Sequence, residues 1–204
     1  IYTLSLHDAL PILVITGAEL RWLDLTGEGR IDPATADVIT GRTRVVALTH
    51  ASNVTGAITP LDEILPAARA AGALVVLDTC QSAAHLPLDF AALSAAGVDA
   101  MVLSGHKMLG PTGIGALVAD EELLAAMPPV LTGGSMIEVV RMESSTYMSG
   151  PARFEAGSQP LAQAAGWRTA LEYLAGLGMD RLHAGEAALT RSEEHTSELQ
   201  SLVI

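Results

Sequence analysis

Ten arginines and a single lysine, Lys107, supply the positive side chains of this 204-residue sequence. Lys107 ends Ser104-Gly105-His106-Lys107, which follows the short apolar run Met101–Leu103. A primary amine in that position suits an imine with an aldehyde-bearing cofactor, since partial burial makes the ammonium give up its proton more readily. Arginine cannot do this chemistry, so one lysine in a chain that otherwise uses arginine stands out. A solvated loop lysine in a GC-rich gene is the plainer alternative. Asp78 closes the run Leu74–Leu77. A carboxylate there suits the ring nitrogen of a pyridine, keeping it protonated and the ring an electron sink. Gln81, three residues on, can donate its amide to a ring oxygen. A capping aspartate with a structural glutamine explains the pair equally well alone, and less well beside Lys107. Asn53, Ser104 and His106 complete the candidate set: Asn53 as a further rim contact or ordinary turn residue, the other two as phosphate ligands.

Other features are set aside. Cys80 lies in the Asp78–Gln81 turn, but no evident base would activate its thiol, and a small buried cysteine is common. His50 and His85 read as structural. The six histidines and one cysteine show no metal-ligand spacing. Gly110-Pro111-Thr112-Gly113-Ile114-Gly115 lacks the Lys-Ser/Thr ending of a P-loop and the spacing of a dinucleotide site.

The elements that must position these residues follow from short apolar runs. Val45–Leu48, Leu74–Leu77 and Met101–Leu103 are rich in Val and Leu, lack alternation, and each ends in a polar residue, as expected of strands buried on both faces. A helix is expected from Pro60 to Ala71, with Thr59 as N-cap, Asp62 and Glu63 in its first turn, and Gly72 ending it. This is a βαβ unit, so the strands are parallel and the polar residues at their C-terminal ends share one rim, where ligands gather in such sheets. A glycine-rich turn then feeds a strand ending near Ala119, and Asp120-Glu121-Glu122 opens a short helix. Leu161 to Leu177 is a long helix stopped by Gly178. Leu13 to Asp24 is expected to be the remnant of a strand. The class is α/β, one incomplete domain with a mostly parallel sheet flanked by helices.

Half of the residues are apolar and 17% are charged, which places the chain among ordinary globular proteins. The net charge of −12, with basic residues scattered, argues against a nucleic-acid partner. A lone cysteine gives no sign of an oxidising compartment, and no apolar run is long enough to span a membrane, so cytoplasm is the default location. Residues 1–12 and 191–204 resemble translated sequencing-library adapters and are expected to be foreign to the rest. The remaining segment, 13–190, is expected to be a piece of a longer gene, and with 19 acidic and 10 basic residues stays acidic at −9.

Five segments carry a family resemblance: Thr49-His50-Ala51-Ser52-Asn53, Leu77-Asp78-Thr79-Cys80-Gln81, the stretch 104–115, Gly133-Gly134-Ser135-Met136-Ile137, and Arg153-Phe154-Glu155-Ala156-Gly157-Ser158. In order through nearly all of 13–190, they resemble the cysteine desulfurases of the class V aminotransferase family, in the SUF-type and selenocysteine lyase branch. The resemblance implies the large domain of the type I fold of pyridoxal 5'-phosphate (PLP) enzymes. It implies Lys107 as the Schiff-base lysine and Asp78 as the partner of the ring nitrogen. Gln81 and Asn53 would contact the ring oxygen, and Ser104 and His106 the phosphate. Gly157 and Ser158 match a segment that reaches a partner's phosphate across a homodimer, Ser158 replacing the more usual threonine.

The implied reaction converts L-cysteine, or selenocysteine, to alanine and passes sulfur as a persulfide to an acceptor protein, for iron–sulfur cluster assembly. The family's ring-stacking histidine matches nothing from residue 13 onward. Its persulfide cysteine and carboxylate-binding arginine would lie beyond residue 190, and Cys80 does not replace that cysteine. The chain alone is therefore expected to bind cofactor weakly and transfer no sulfur. The alternatives are another class V enzyme, kynureninase-like or a transaminase, and a non-catalytic scaffold of the same fold.

Overall fold

The computed structural model describes residues 14–201, with side chains through residue 193. Its centre is a four-stranded sheet in the order β1 (Val45–Thr49), β2 (Leu74–Asp78), β3 (Ala100–Ser104) and β4 (Gly115–Ala119). The first three strands run parallel and β4 is antiparallel to β3. Helix α1 (Leu61–Ala71) crosses from β1 to β2, and α2 (Phe90–Ala96) from β2 to β3. A short α3 (Glu121–Ala126) follows β4, and a hairpin of β5 (Ile137–Val140) and β6 (Ser145–Tyr147) stands apart from the main sheet. The chain ends in α4 (Leu161–Leu177) and α5 (Met179–Ser201).

Side-chain parity decides which face of the sheet is covered. Val46, Leu48, Val75, Leu77 and Met101 point to one side and form the core with Ile64, Leu65 and Ala68 of α1. Leu103 and Ala116 continue that side toward a second cluster around Met108, Trp167, Ala170 and Leu174, which seats α4. The opposite parity holds Val45, Leu74 and Leu117, all at least 41% exposed, together with Thr49, Asp78 and Ser104. Alternation along each strand thus sorts the apolar packing to one face and the candidate site to the other.

The expected strands each gain a residue or two, and all lie where the apolar runs placed them. Gly72 ends α1 in the left-handed conformation, φ 65°, where a glycine carries no steric penalty. Thr59 does not cap α1. Its hydroxyl donates to the carbonyl of Thr49, and Pro60 stands at the cap position without a side-chain bond. The helix starts one residue later than expected, at Leu61, so the cap position falls on Pro60, which has no side-chain acceptor. Residue 13 of the expected Leu13–Asp24 strand lies outside the described residues; of the rest, 14–16 form a helical turn and 17–24 have no sheet partner among the described residues. Val14 and Ile15 are exposed, and without a ladder to complete, an extended segment gains nothing from strand geometry. Helix α5 runs unbroken through positions 190 and 191, since neither glycine nor proline interrupts it there.

Candidate functional site

The three parallel strands end at one rim. Thr49 of β1 is the register partner of Asp78, and Asp78 that of Val102, two residues before Ser104 at the end of β3. Register partners in a parallel sheet point the same way, so Thr49, Asp78 and Ser104 leave the sheet on its open face.

Two turns carry the chemistry beyond these ends. After β2, the Asp78 carboxylate accepts the backbone N–H of Cys80 at 2.9 Å, while Thr79 fixes the turn to β3 by donating its N–H (3.1 Å) and hydroxyl (2.7 Å) to the carbonyl of Val102. Ser82, fully buried, pairs its hydroxyl with Nδ1 of His50 at 2.9 Å. That bond ties the end of β1 to the turn bearing Gln81. Burial holds the His50 imidazole below its ordinary value of 6.5, so near neutral pH it is an uncharged strut. After β3, the chain closes a 3-10 turn over Gly105–Lys107, and the amides of Met108 and Gly110 both donate to the Gly105 carbonyl at 2.9 Å. Leu109 takes a positive φ of 60° to complete this turn. Ser104 and His106 share a hydrogen bond at 3.0 Å, placing a hydroxyl and an imidazole side by side next to Lys107.

Electrostatics ties the two turns together. The Cys80 thiol is pushed up to about 11, chiefly by burial and further by the Asp78 carboxylate, against an opposing pull from Lys107. Near neutral pH the group is therefore held as the neutral thiol. The same balance requires Lys107 and Asp78 to lie close enough to act on one sulfur. Yet no ion pair among the described residues joins them, and Lys107 makes no side-chain hydrogen bond there. Asp78 at the end of β2 and Lys107 in the turn after β3 thus stand at the same rim without forming an ion pair, a donor set that suits a group with an aldehyde at one end and a basic nitrogen at the other. The donor set therefore fits PLP.

The remaining sequence candidates are placed less tightly. Asn53 lies four residues past β1, in an exposed turn that Ser52 holds by accepting the amides of Val54 and Thr55, each at 3.2 Å. Gly157 and Ser158 sit on the loop before α4, where the Gly157 amide donates to the Gly134 carbonyl at 2.8 Å. Among the described residues they make no hydrogen bond to the Lys107 turn. His85 forms an exposed pair with Glu186 at 2.8 Å, in keeping with a structural role. No group of three or more potential metal ligands occurs among the described residues. No described helix is long and apolar enough to cross a membrane. A shallow recess between the Pro33–Val38 turn and the end of α1 lies at the opposite end of the sheet, with Asp37 its one ionisable lining group.

Two residues escaped sequence reasoning. Arg153 donates to the carbonyls of Ala125 (2.8 Å), Met127 (3.3 Å) and Met148 (3.2 Å), clamping the loop that leads to Gly157 against the end of α3. Trp167 sits beneath the lysine turn. Neither leaves a local signal, because their partners are a backbone end and a glycine turn distant in sequence.

This fold is that of the type I PLP-dependent enzymes, and the chain belongs to the aminotransferase class-V family, whose model matches residues 10–202. Members of that family use PLP. The chain is 50% identical over 176 residues to a probable cysteine desulfurase of Streptomyces coelicolor, covering 86% of this chain and 41% of that protein. It superimposes on the cysteine desulfurase CsdA of Escherichia coli with a TM-score of 0.80 and 37% identity, over 86% of this chain and 44% of the other. The apo cysteine desulfurase of Thermococcus onnurineus gives 0.84 and 31%, over 96% and 48%. The chain thus spans less than half the length of these relatives.

Proposed function

We propose that the protein to which this chain belongs is a PLP-dependent cysteine desulfurase, acting on L-cysteine or selenocysteine and passing sulfur to an acceptor for iron–sulfur cluster assembly. The observation that carries the reading is the unclosed pair of Lys107 and Asp78 at one rim, within a chain half identical to a probable desulfurase. When bound, PLP supplies an aldehyde carbon for amines and a ring that withdraws electrons from a substrate's α-carbon. Lys107 holds the cofactor covalently and moves the α-proton. Asp78, one oxygen of which is anchored by the Cys80 amide, would keep a proton on the ring nitrogen. Gln81 and Asn53 bind the ring oxygen, and Ser104 and His106 hold the phosphate. Gly157 and Ser158 serve the phosphate of a second copy in a homodimer. The setting is cytoplasmic.

Residues 13–190 are the part that carries this function, with 1–12 and 191–204 foreign to it. Because the chain covers 41% of the Streptomyces coelicolor protein, it is proposed to lack sulfur transfer by itself. Borohydride reduction in the presence of PLP, followed by peptide mass spectrometry, should add a pyridoxyl group at Lys107. The full-length gene product should form alanine from L-cysteine and lose this with Lys107→Ala. A full-length product that makes no alanine would sink the enzyme reading. Alanine formation by the 204-residue chain, abolished by Lys107→Ala, would overturn its proposed inactivity.

A further inference from the structure

We propose that Trp167 is a positioning residue for Lys107, setting the shape of the turn that presents the amine. The proposal rests on the reading of Lys107 as the cofactor lysine. Trp167, 8% exposed, projects from α4 into the cluster that also holds Met108 of the lysine turn and Ala83 and Ala84 of the turn after Asp78. The indole thus shares one core cluster with both turns and lies against the lysine turn itself.

The fit is closest at two glycines. A methyl group on Gly110 would stand 2.7 Å from Trp167 Cδ1 and 2.8 Å from the Gly105 carbonyl oxygen. One on Gly105 would stand 2.8 Å from Ile114 Cγ2 and 3.3 Å from Trp167 Cδ2. Gly166 extends the contact, since a methyl there would touch Pro111 at 3.4 Å. Bare backbone in the turn and a bare position on the helix let the ring press directly on the peptide units that flank Lys107. The indole N–H is buried without an acceptor. A buried donor left unpaired is unfavourable, so hydrogen bonding does not explain a tryptophan here. What remains is the shape of the ring against Gly105 and Gly110. The ring atoms named in those contacts, Cγ, Cδ1 and Cδ2, are also present in phenylalanine.

Lys107 offers a direct readout, because the α-amino terminus is the one other primary amine in the chain. The 204-residue chain and its Trp167→Ala, Trp167→Phe and Leu174→Ala variants are labelled with trace acetic anhydride across pH, and Lys107 acylation is read by mass spectrometry. Leu174 belongs to the same buried cluster two turns along α4, so its truncation controls for lost packing. Trp167→Ala should shift the pH profile of Lys107 labelling and speed hydrogen exchange at the Met108 and Gly110 amides by about tenfold, as expected when one local unit loosens. Trp167→Phe should restore both, and Leu174→Ala should leave both unchanged after correction for global stability. Equal effects of the two alanine variants, no effect of either, or failure of phenylalanine to restore the profile would overturn the proposal. A wild-type chain that labels normally yet takes up no PLP on reduction would count against the proposed function alone.

Discussion

The Asp78 carboxylate accepts the Cys80 backbone N–H at 2.9 Å, so one of its oxygens belongs to the fold, and on the proposed function its charge serves the ring nitrogen. An amide can keep the first duty and not the second. Asp78→Asn should therefore retain the stability of the chain, whereas Asp78→Ala should cost about 1 kcal/mol through loss of the turn bond. Urea denaturation separates these outcomes. Both variants should lose PLP uptake measured by borohydride trapping, because neither supplies a negative charge.

Arg153 should prove sensitive to replacement by lysine. Its guanidinium spans three carbonyls on two segments, a geometry one ammonium cannot reproduce. Arg153→Lys should cost about 1.5–3 kcal/mol by denaturant titration. A loss below half a kilocalorie would show the clamp to be incidental.

His50 sets an acid limit. Its folded-state value lies below 6.5, so the neutral ring is favoured in the fold. The stability it contributes is present above pH 6.5 and falls away as pH drops through the depressed value. In His50→Asn, which can still bond Ser82, the decline in melting temperature between pH 7 and 5 should be shallower. An unchanged slope would remove His50 from the account.

Cys80 sets the alkaline limit with the opposite sign. Its folded value of about 11 lies above the ordinary 9.0, so its contribution is complete below pH 9 and is lost as pH climbs toward 11. For a thiol this open to solvent the effect is on the order of 1 kcal/mol. Cys80→Ala should flatten melting temperature against pH over that window. It should also leave alanine formation by the full-length protein intact, since Cys80 is not proposed to accept sulfur.

The rim was legible in sequence because apolar runs too short for helices and rich in Val and Leu can hardly be anything but buried strands. Asp78 and Ser104 then fell at strand ends by simple counting. What surrounds the rim was not legible. Thr59 looked like a cap from its place before Pro60, but the Thr49 carbonyl, ten residues away, claimed its hydroxyl. Leu13 to Asp24 had strand composition, and 17–24 have no sheet partner among the described residues. Asn53, on sequence a rim contact or a turn residue, lies in a turn four residues past β1, where Ser52 accepts the amides of Val54 and Thr55. Trp167 and Arg153 act on backbone, and backbone partners leave no pattern in a sequence.

The lysine turn is the loop of a β-hairpin: Ser104 and Gly115 pair across β3 and β4, and the Gly105 amide reaches Ile114 at 3.0 Å just inside them. A loop stitched at its neck and supported from below is already shaped before any ligand arrives. On the proposed function, docking a cofactor there should freeze little additional chain, with uptake rates that barely register solvent viscosity.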